Sequence, residues 1–177
     1  THCSVIVDGN NTVSVKAYQG NTPTIISGTA FTQLNSFLDA MLPAGINYSL
    51  VSTNPDLVAL DANIYYKNGY GGLVIQTNIT NALNAYLATL GQPAKDKRLN
   101  KINGVITVAE LIQVLVETEG VADIKLNWIN CRANSVPFSS VNYIYNLNPP
   151  TNSRNYITAS GIASLDLSNS LLHYFAG

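Results

Sequence analysis

Residues 57–66, with the sequence LVALDANIYY, alternate between apolar and polar side chains. One side of an extended backbone here carries only apolar or aromatic residues, namely Val58, Leu60, Ala62, Ile64 and Tyr66. The opposite side carries Asp61, Asn63 and Tyr65. A period of two residues is typical of a strand with one buried face. This stretch therefore predicts a long, half-buried β-strand.

Helical spacing begins after the glycines at positions 69, 71 and 72. The apolar residues that follow recur every three or four positions and form one stripe: Ile75, Ile79, Ala82, Leu83, Tyr86, Leu87 and Leu90. This pattern predicts an amphipathic helix from Leu73 to Leu90. Gly91 and Pro93 are residues that end helices.

A second helix is predicted to start at Thr107, because Thr107 and Glu110 have the spacing of a capping box. Its buried stripe contains Val108, Leu111, Ile112, Leu115 and Val116. Gly120 suits the left-handed conformation just past a helix end. The sequence ADIKLNW then alternates again, which predicts another strand that buries Ala122, Ile124, Leu126 and Trp128.

The rest of the chain repeats strands and helices on a smaller scale. A hairpin, a helix with the stripe Phe31, Leu34, Phe37, Leu38, Met41 and Leu42, and a strand precede Pro55. The last third is rich in strands and ends in a predicted hairpin of GIASLDL and LLHYF. We expect an α+β fold, with antiparallel or mixed sheets, helices packed on one face and two small strand-helix-strand units. The expected divisions are an N-terminal unit at 1–55 and a C-terminal unit at 56–177.

Composition narrows the possible partners. The formal net charge is −1 and only 11% of the residues are charged, so we expect neither nucleic acid nor membrane insertion. The one basic cluster, Lys95, Lys97, Arg98 and Lys101, is interpreted as a solvated loop. Because the chain starts at Thr1 and enters a strand at once, we expect an excised or processed chain.

Residue types that commonly act in catalysis or bind metals are few in this chain. His2 and His173 are the only histidines, and neither HxxxH nor CxxC spacing occurs, so no metal and no cofactor is expected. Two cysteines, Cys3 and Cys131, could pair only if their strands adjoin. The acidic residues do not form a facing pair, and the glycines at 69–72 lack the spacing of a phosphate-binding loop. No catalytic residue is therefore predicted.

Tyrosine is the remaining residue type suited to binding, and the chain contains ten tyrosines. Tyrosine is enriched at subunit interfaces and also serves sugar or peptide binding. The polar strand face and the aromatic segments supply the candidate interface residues Asn63, Tyr65, Tyr70, Asn127, Tyr143 and Tyr145. Trp128 is a further anchor candidate, although its position in the strand favours the core.

Three segments resemble the C-terminal part of baseplate J-like proteins of contractile phage tails and related injection systems. They are DLVALDANIYYKNGY, LVIQTNITNALNAYLATL and GVITVAELIQVLVETEGVADIKL. In the third segment, the positions that match the family pattern are Val105, Val108, Leu111 and Ile112, followed by Glu119, Gly120, Val121 and Ile124. PAGINYSLVSTNP and the terminal SGIASLDLSNSLLHYF are similar to the family as well.

The resemblance implies a structural, protein-binding module of a baseplate wedge or contractile injection apparatus, without catalysis. Its partners would be neighbouring baseplate or tail subunits in a homo- or hetero-oligomer. Its location would be the virion tail baseplate, or the bacterial cytoplasm during assembly. The alternatives are a carbohydrate- or ligand-binding α+β domain of a bacterial surface protein, and an enzyme whose site is completed by another chain.

Overall fold

The computed structural model describes residues 2–7, 12–19, 24–43, 45–90 and 104–177, with the backbone alone for 2–7 and 151–152. The predicted helix stop at Gly91 and Pro93 and the basic cluster at 95–101 lie outside these residues. Within them the chain combines helices with mixed sheets, so the predicted α+β class is confirmed.

The N-terminal sheet contains four strands: β1 (His2–Val7), β2 (Thr12–Gln19), β3 (Thr24–Ile25) and β4 (Asn47–Val51). β1 and β3 run antiparallel to β2, and β4 runs parallel to it. β3 and helix α1 (Gly28–Met41) together form the crossover connection that brings β4 back parallel to β2. No residue of α1 is fully buried, and Phe37 and Met41 of its apolar stripe are 58% and 66% exposed.

The large sheet is built around β5 (Asp56–Tyr66). β7 (Val121–Arg132) lies antiparallel on one side of β5, followed outward by β8 (Tyr143–Leu147) and β9 (Pro150–Asn152). On the other side, β11 (Ala163–Leu165) and β12 (Leu171–Ala176) pair with β5 in succession. A separate two-stranded sheet joins β6 (Val105–Thr107) to β10 (Asn155–Ile157).

Two helices cover one face of the large sheet, α2 (Gly72–Thr89) and α3 (Val108–Glu117). Their stripes meet the apolar side of β5, and the fully buried residues include Leu60, Ile64, Ile75, Leu83 and Leu115. The predicted burial of Val116 in α3 is wrong, because this residue is 46% exposed. The predicted N-cap is present, because the Glu110 N–H donates to Thr107 Oγ1 over 3.2 Å. The predicted alternation of β5 and the stripe of α2 therefore form the core.

The predicted burial of Ala122 and Trp128 is wrong. The pairing of β5 with β7 shifts register between Asp61 and Ala62 and again between Tyr65 and Tyr66. Each shift adds one residue to β7, which reverses the face of every side chain beyond it. Val121, Leu126, Ile129 and Cys131 consequently face the core, while Ala122 is exposed and Trp128 lies on the other face.

The predicted terminal hairpin is also wrong, because β11 and β12 both run parallel to β5. Residues 166–170, between β11 and β12, do not reverse the chain. They make some of the hydrogen bonds that a neighbouring strand would otherwise make with β5. The Asp166 N–H donates to the Val58 carbonyl (2.8 Å), and the Leu60 N–H donates to Ser170 Oγ (3.2 Å). These bonds satisfy β5 where no strand lies beside it.

The cysteines do not form the bridge that the sequence left open. Cys131 is a free, buried thiol in β7, and burial raises its pKa. Cys3 belongs to β1, which pairs with β2 in the N-terminal sheet. Cys131 is therefore a small apolar residue of the core.

Candidate functional site: the open face of the large sheet

One face of the large sheet carries α2 and α3, and the opposite face carries no α-helix among the described residues. We call this opposite side the outer face. Strand register places side chains from four strands on it: Asp61, Asn63, Tyr65, Lys125, Trp128, Tyr143, Leu171, His173 and Phe175. These residues form one surface because β12, β5, β7 and β8 are hydrogen-bonded neighbours.

Tyr65 and Phe175 form the first aromatic pair of the outer face. The two residues are cross-strand partners, and their rings stack with centroids 5.4 Å apart at an interplanar angle of 27°. Phe175 remains 45% exposed. A partly exposed aromatic pair on a sheet is the kind of surface that protein interfaces bury.

A second aromatic group lies nearer the other edge of the sheet. The rings of Trp128 and Tyr143 stack 5.2 Å apart at 17°, and Phe138 packs 5.7 Å from Trp128. The guanidinium carbon of Arg132 lies 5.4 Å from the centre of the Phe138 ring. Trp and Tyr are among the usual anchors of protein interfaces, whereas Arg132 is itself buried and only supports the Phe138 ring.

Polar side chains separate the two aromatic groups. The Asn127 amide donates to Asp61 Oδ1 over 2.9 Å, and His173 Nε2 lies 3.9 Å from the same oxygen. The Asp61 side chain is largely covered, whereas that of His173 is half exposed. The outer face therefore has aromatic ends and a hydrogen-bonded polar centre.

The six candidate interface residues from the sequence occupy different places. Asn63 and Tyr65 lie on β5 in the outer face, Tyr143 belongs to the second aromatic group, and Asn127 is the extra residue of the first register shift. Four of the six are thus brought onto one surface.

Tyr145 and Tyr70 lie elsewhere. Tyr145 packs against the core on the helix side, because a third irregularity, between Ile129 and Asn130 in the pairing of β7 with β8, separates it from Tyr143. Tyr70 lies beyond the end of β5, where its hydroxyl donates to Glu119 Oε1 over 3.1 Å. This bond to a carboxylate raises the pKa of Tyr70.

Sequence reasoning missed Phe138, His173 and Phe175 as members of the surface, and it assigned Trp128 to the core. The alternation in LLHYFA was visible and could have put His173 and Phe175 on one side of a strand. Which strand they join is a matter of long-range pairing. Phe138 lies in an irregular segment between β7 and β8, where no periodic signal exists.

The described part of the chain shows neither of two usual signs of a catalytic site, a metal cluster and a cavity with paired, shifted titratable groups. No group of three His, Cys, Asp or Glu residues there could hold a metal ion. Four cavities lined by described residues contain no pair of titratable groups with shifted pKa values. None of the described helices is both long enough and apolar enough to cross a bilayer.

Exposed aromatic groups on an open sheet face are a feature of protein-binding surfaces. Residues 58–132 match the family model described as Baseplate J-like protein C-terminal domain, a segment that runs from β5 to the end of β7 and covers less than half of the chain. The resemblance to baseplate J-like proteins is thus confirmed over this segment. It supports a structural role in a phage tail baseplate. No protein of curated function is significantly similar to the chain.

Proposed function

We propose that this chain is a structural, protein-binding module of a baseplate wedge or contractile injection apparatus, with no catalysis of its own. Its partners are neighbouring baseplate or tail subunits, in a homo- or hetero-oligomer. It acts in the virion tail baseplate, after assembly in the bacterial cytoplasm. The family match over 58–132 supports the setting. The observation that carries the binding role is the outer face, with its two aromatic groups.

The mechanism of such a module is geometric. A rigid core of β5, β7, α2 and α3 holds the aromatic side chains in place, so that little side-chain entropy is lost when a partner covers them. Tyr65, Asn63, Asn127 and Tyr143 are the interface residues retained from the sequence, together with its further anchor candidate Trp128. Phe175 is added. Tyr70 is assigned to a secondary contact, and Tyr145 is assigned to the core.

We also propose that the chain divides near Pro55 into units 1–55 and 56–177. The N-terminal sheet and the large sheet share no strand. The units are joined by side-chain bonds to the segment before β11: Lys16 Nζ donates to the Ala159 carbonyl over 2.6 Å, and the Tyr18 hydroxyl donates to the Ser160 carbonyl. A small polar junction of this kind suits an attachment that orients one unit on the other.

Co-expression with the products of adjacent tail genes tests the binding role. We expect a stable complex in size-exclusion chromatography, which Phe175→Ser weakens at least about tenfold in Kd. The matched control is Leu73→Ser, since Leu73 is 80% exposed but lies on α2, away from the outer face. Equal weakening by both variants, or a chain that stays monomeric beside every adjacent product, would contradict the proposal.

The carbohydrate-binding alternative needs aromatic ring faces open to a sugar. Trp128 and Tyr143 turn ring faces toward each other, so part of each ring surface is already occupied. We therefore favour the protein-binding role. A glycan array distinguishes the two, because binding to immobilised glycans without binding to tail proteins would support the alternative.

A further inference from the structure

β12 forms a free edge of the large sheet. Among the described residues it pairs with β5 alone. The Gly177 N–H donates to the Tyr66 carbonyl over 2.9 Å, and successive residues of a strand direct their main-chain groups to opposite edges. The N–H and C=O groups of Leu172, Tyr174 and Ala176 are therefore directed away from β5, toward the free side.

The features that usually protect an edge strand from pairing are missing in β12. Its sequence LLHYFA contains neither Lys nor Pro nor an acidic residue. Its register with β5 is uninterrupted over all six residues, so no bulge distorts it. Leu171 and Phe175 remain about half exposed. A regular, uncharged, apolar edge is a template for another strand.

A cavity lies beside this edge, between α2 and β12. It has a volume of about 230 Å³ and is lined by Gln76, Thr80, Leu167, Ser170, Leu172 and Tyr174. The Tyr174 hydroxyl is buried and has no hydrogen-bond partner among the described residues. Buried polar groups are nearly always paired, so a partner side chain that enters the cavity can supply the bond that this hydroxyl lacks. Alternate side chains of an added strand would point toward this helix-covered side.

We propose that the free edge of β12 accepts an extended strand from another protein, whose inward residue places a small, uncharged polar side chain beside Tyr174. The partner is recognised by main-chain hydrogen bonds to Leu172, Tyr174 and Ala176, with the cavity selecting the side chain. β12 itself, with the sequence LLHYFA, contains no small, uncharged polar residue, so pairing of two β12 edges would leave the Tyr174 hydroxyl without a partner. A foreign strand with such a residue supplies that partner. This inference rests on the proposed function and names its binding mode.

Amide hydrogen exchange on the full chain tests the edge directly. The probes are synthetic twelve-residue peptides that tile the products of the adjacent tail genes. We expect one peptide to slow exchange at the Leu172 and Tyr174 amides at least tenfold. The His173 and Phe175 amides, which face β5, are the internal controls and should not change.

Two variants separate the edge from the cavity. Ala176→Pro removes an N–H that faces the free side and should weaken the peptide by at least about threefold without changing Tm. Tyr174→Phe removes only the unpaired hydroxyl and should weaken a peptide with a polar inward residue by about threefold to tenfold. Unchanged affinity in both variants would overturn the proposal.

The outcomes also separate this inference from the proposed function. If the chain binds the intact tail proteins while no peptide protects Leu172 and Tyr174, the edge inference fails and the binding role stands. If protection appears only with a concentration-dependent dimer of this chain, the occupant is a second copy and the inference is overturned. If the chain binds neither proteins nor peptides, the proposed function itself fails.

Discussion

Arg132 at the end of β7 reaches across β5 and forms a buried ion pair with Asp166, which follows β11. The carboxylate of Asp166 also accepts hydrogen bonds from Ser168 Oγ (2.6 Å) and Asn169 Nδ2 (2.8 Å). The Arg132 guanidinium donates to Asn130 Oδ1 as well (3.3 Å). The pair therefore joins three neighbouring strands, β7, β5 and β11.

Removing one partner of this pair should be strongly destabilising, because the other charge stays buried without compensation. We expect Asp166→Asn or Arg132→Met to lower the free energy of unfolding by about 3–5 kcal/mol. Urea unfolding followed by circular dichroism measures this. The double variant Arg132→Met/Asp166→Leu is the control, and its loss should be clearly smaller than the sum of the two single losses. Additive losses would show that the two groups are not coupled.

The same pair predicts a loss of stability in acid. Burial opposes ionisation of Asp166, but the bonds from Ser168, Arg132 and Asn169 outweigh it and lower its pKa from 3.8 to about 2. The ionised form is thus favoured more in the folded chain than in the unfolded chain. Its contribution, about 2 kcal/mol, is present above pH 4 and is lost as the pH falls toward 2. Asp166→Asn should flatten this part of the stability profile, and an unchanged profile would contradict the assignment.

Gly120 should tolerate no side chain. Its φ is +88°, and an added Cβ would lie 2.5 Å from Ile75 Cδ1 and 2.7 Å from Tyr70 Cδ1. We expect Gly120→Ala to cost about 2–4 kcal/mol, from backbone strain and from the clash. Gly69→Ala is the matched control, because Gly69 has a similar φ of +96° with nothing near its Cβ, and should cost only about 1 kcal/mol. Equal costs in thermal or urea unfolding would show that the contact contributes nothing.

The cap of α3 supplies another matched pair. Thr107→Ala removes the acceptor of the Glu110 N–H and should cost about 1 kcal/mol. Ser27 occupies the same position before α1, but its side chain makes no capping bond. Ser27→Ala should therefore change the free energy of unfolding by only a few tenths of a kcal/mol. Comparable losses in both variants would contradict a specific role of the Thr107 hydroxyl.

Much of the helix-covered side of the large sheet was predictable from the sequence. The alternation of LVALDANIYY identified the buried side of β5, and the stripe from Ile75 to Leu90 identified the core side of α2. The capping residue of α3 followed from the spacing of Thr107 and Glu110. These signals are local, because each depends only on the repeat of one helix or strand.

The outer face was predictable only in part. Asn63 and Tyr65 follow directly from the alternation of β5, whereas Trp128 reaches this surface only because β7 takes an extra residue opposite β5. Tyr143 and Tyr145, two positions apart, separate for the same reason in β8. One inserted residue reverses the face of every later side chain. The periodicity of a single strand does not show where pairing with its neighbour requires such an insertion.

The sequence alone thus determined the central strand β5, the helices α2 and α3, and which side of β5 and α2 is apolar, because those properties are set by neighbouring residues. Only the tertiary structure decided that β12 lies parallel to β5 with a free edge, that Trp128 joins the open aromatic surface, and that Arg132 meets Asp166. Those features depend on hydrogen bonds and contacts between residues far apart in the chain, whose register is set when the whole sheet forms.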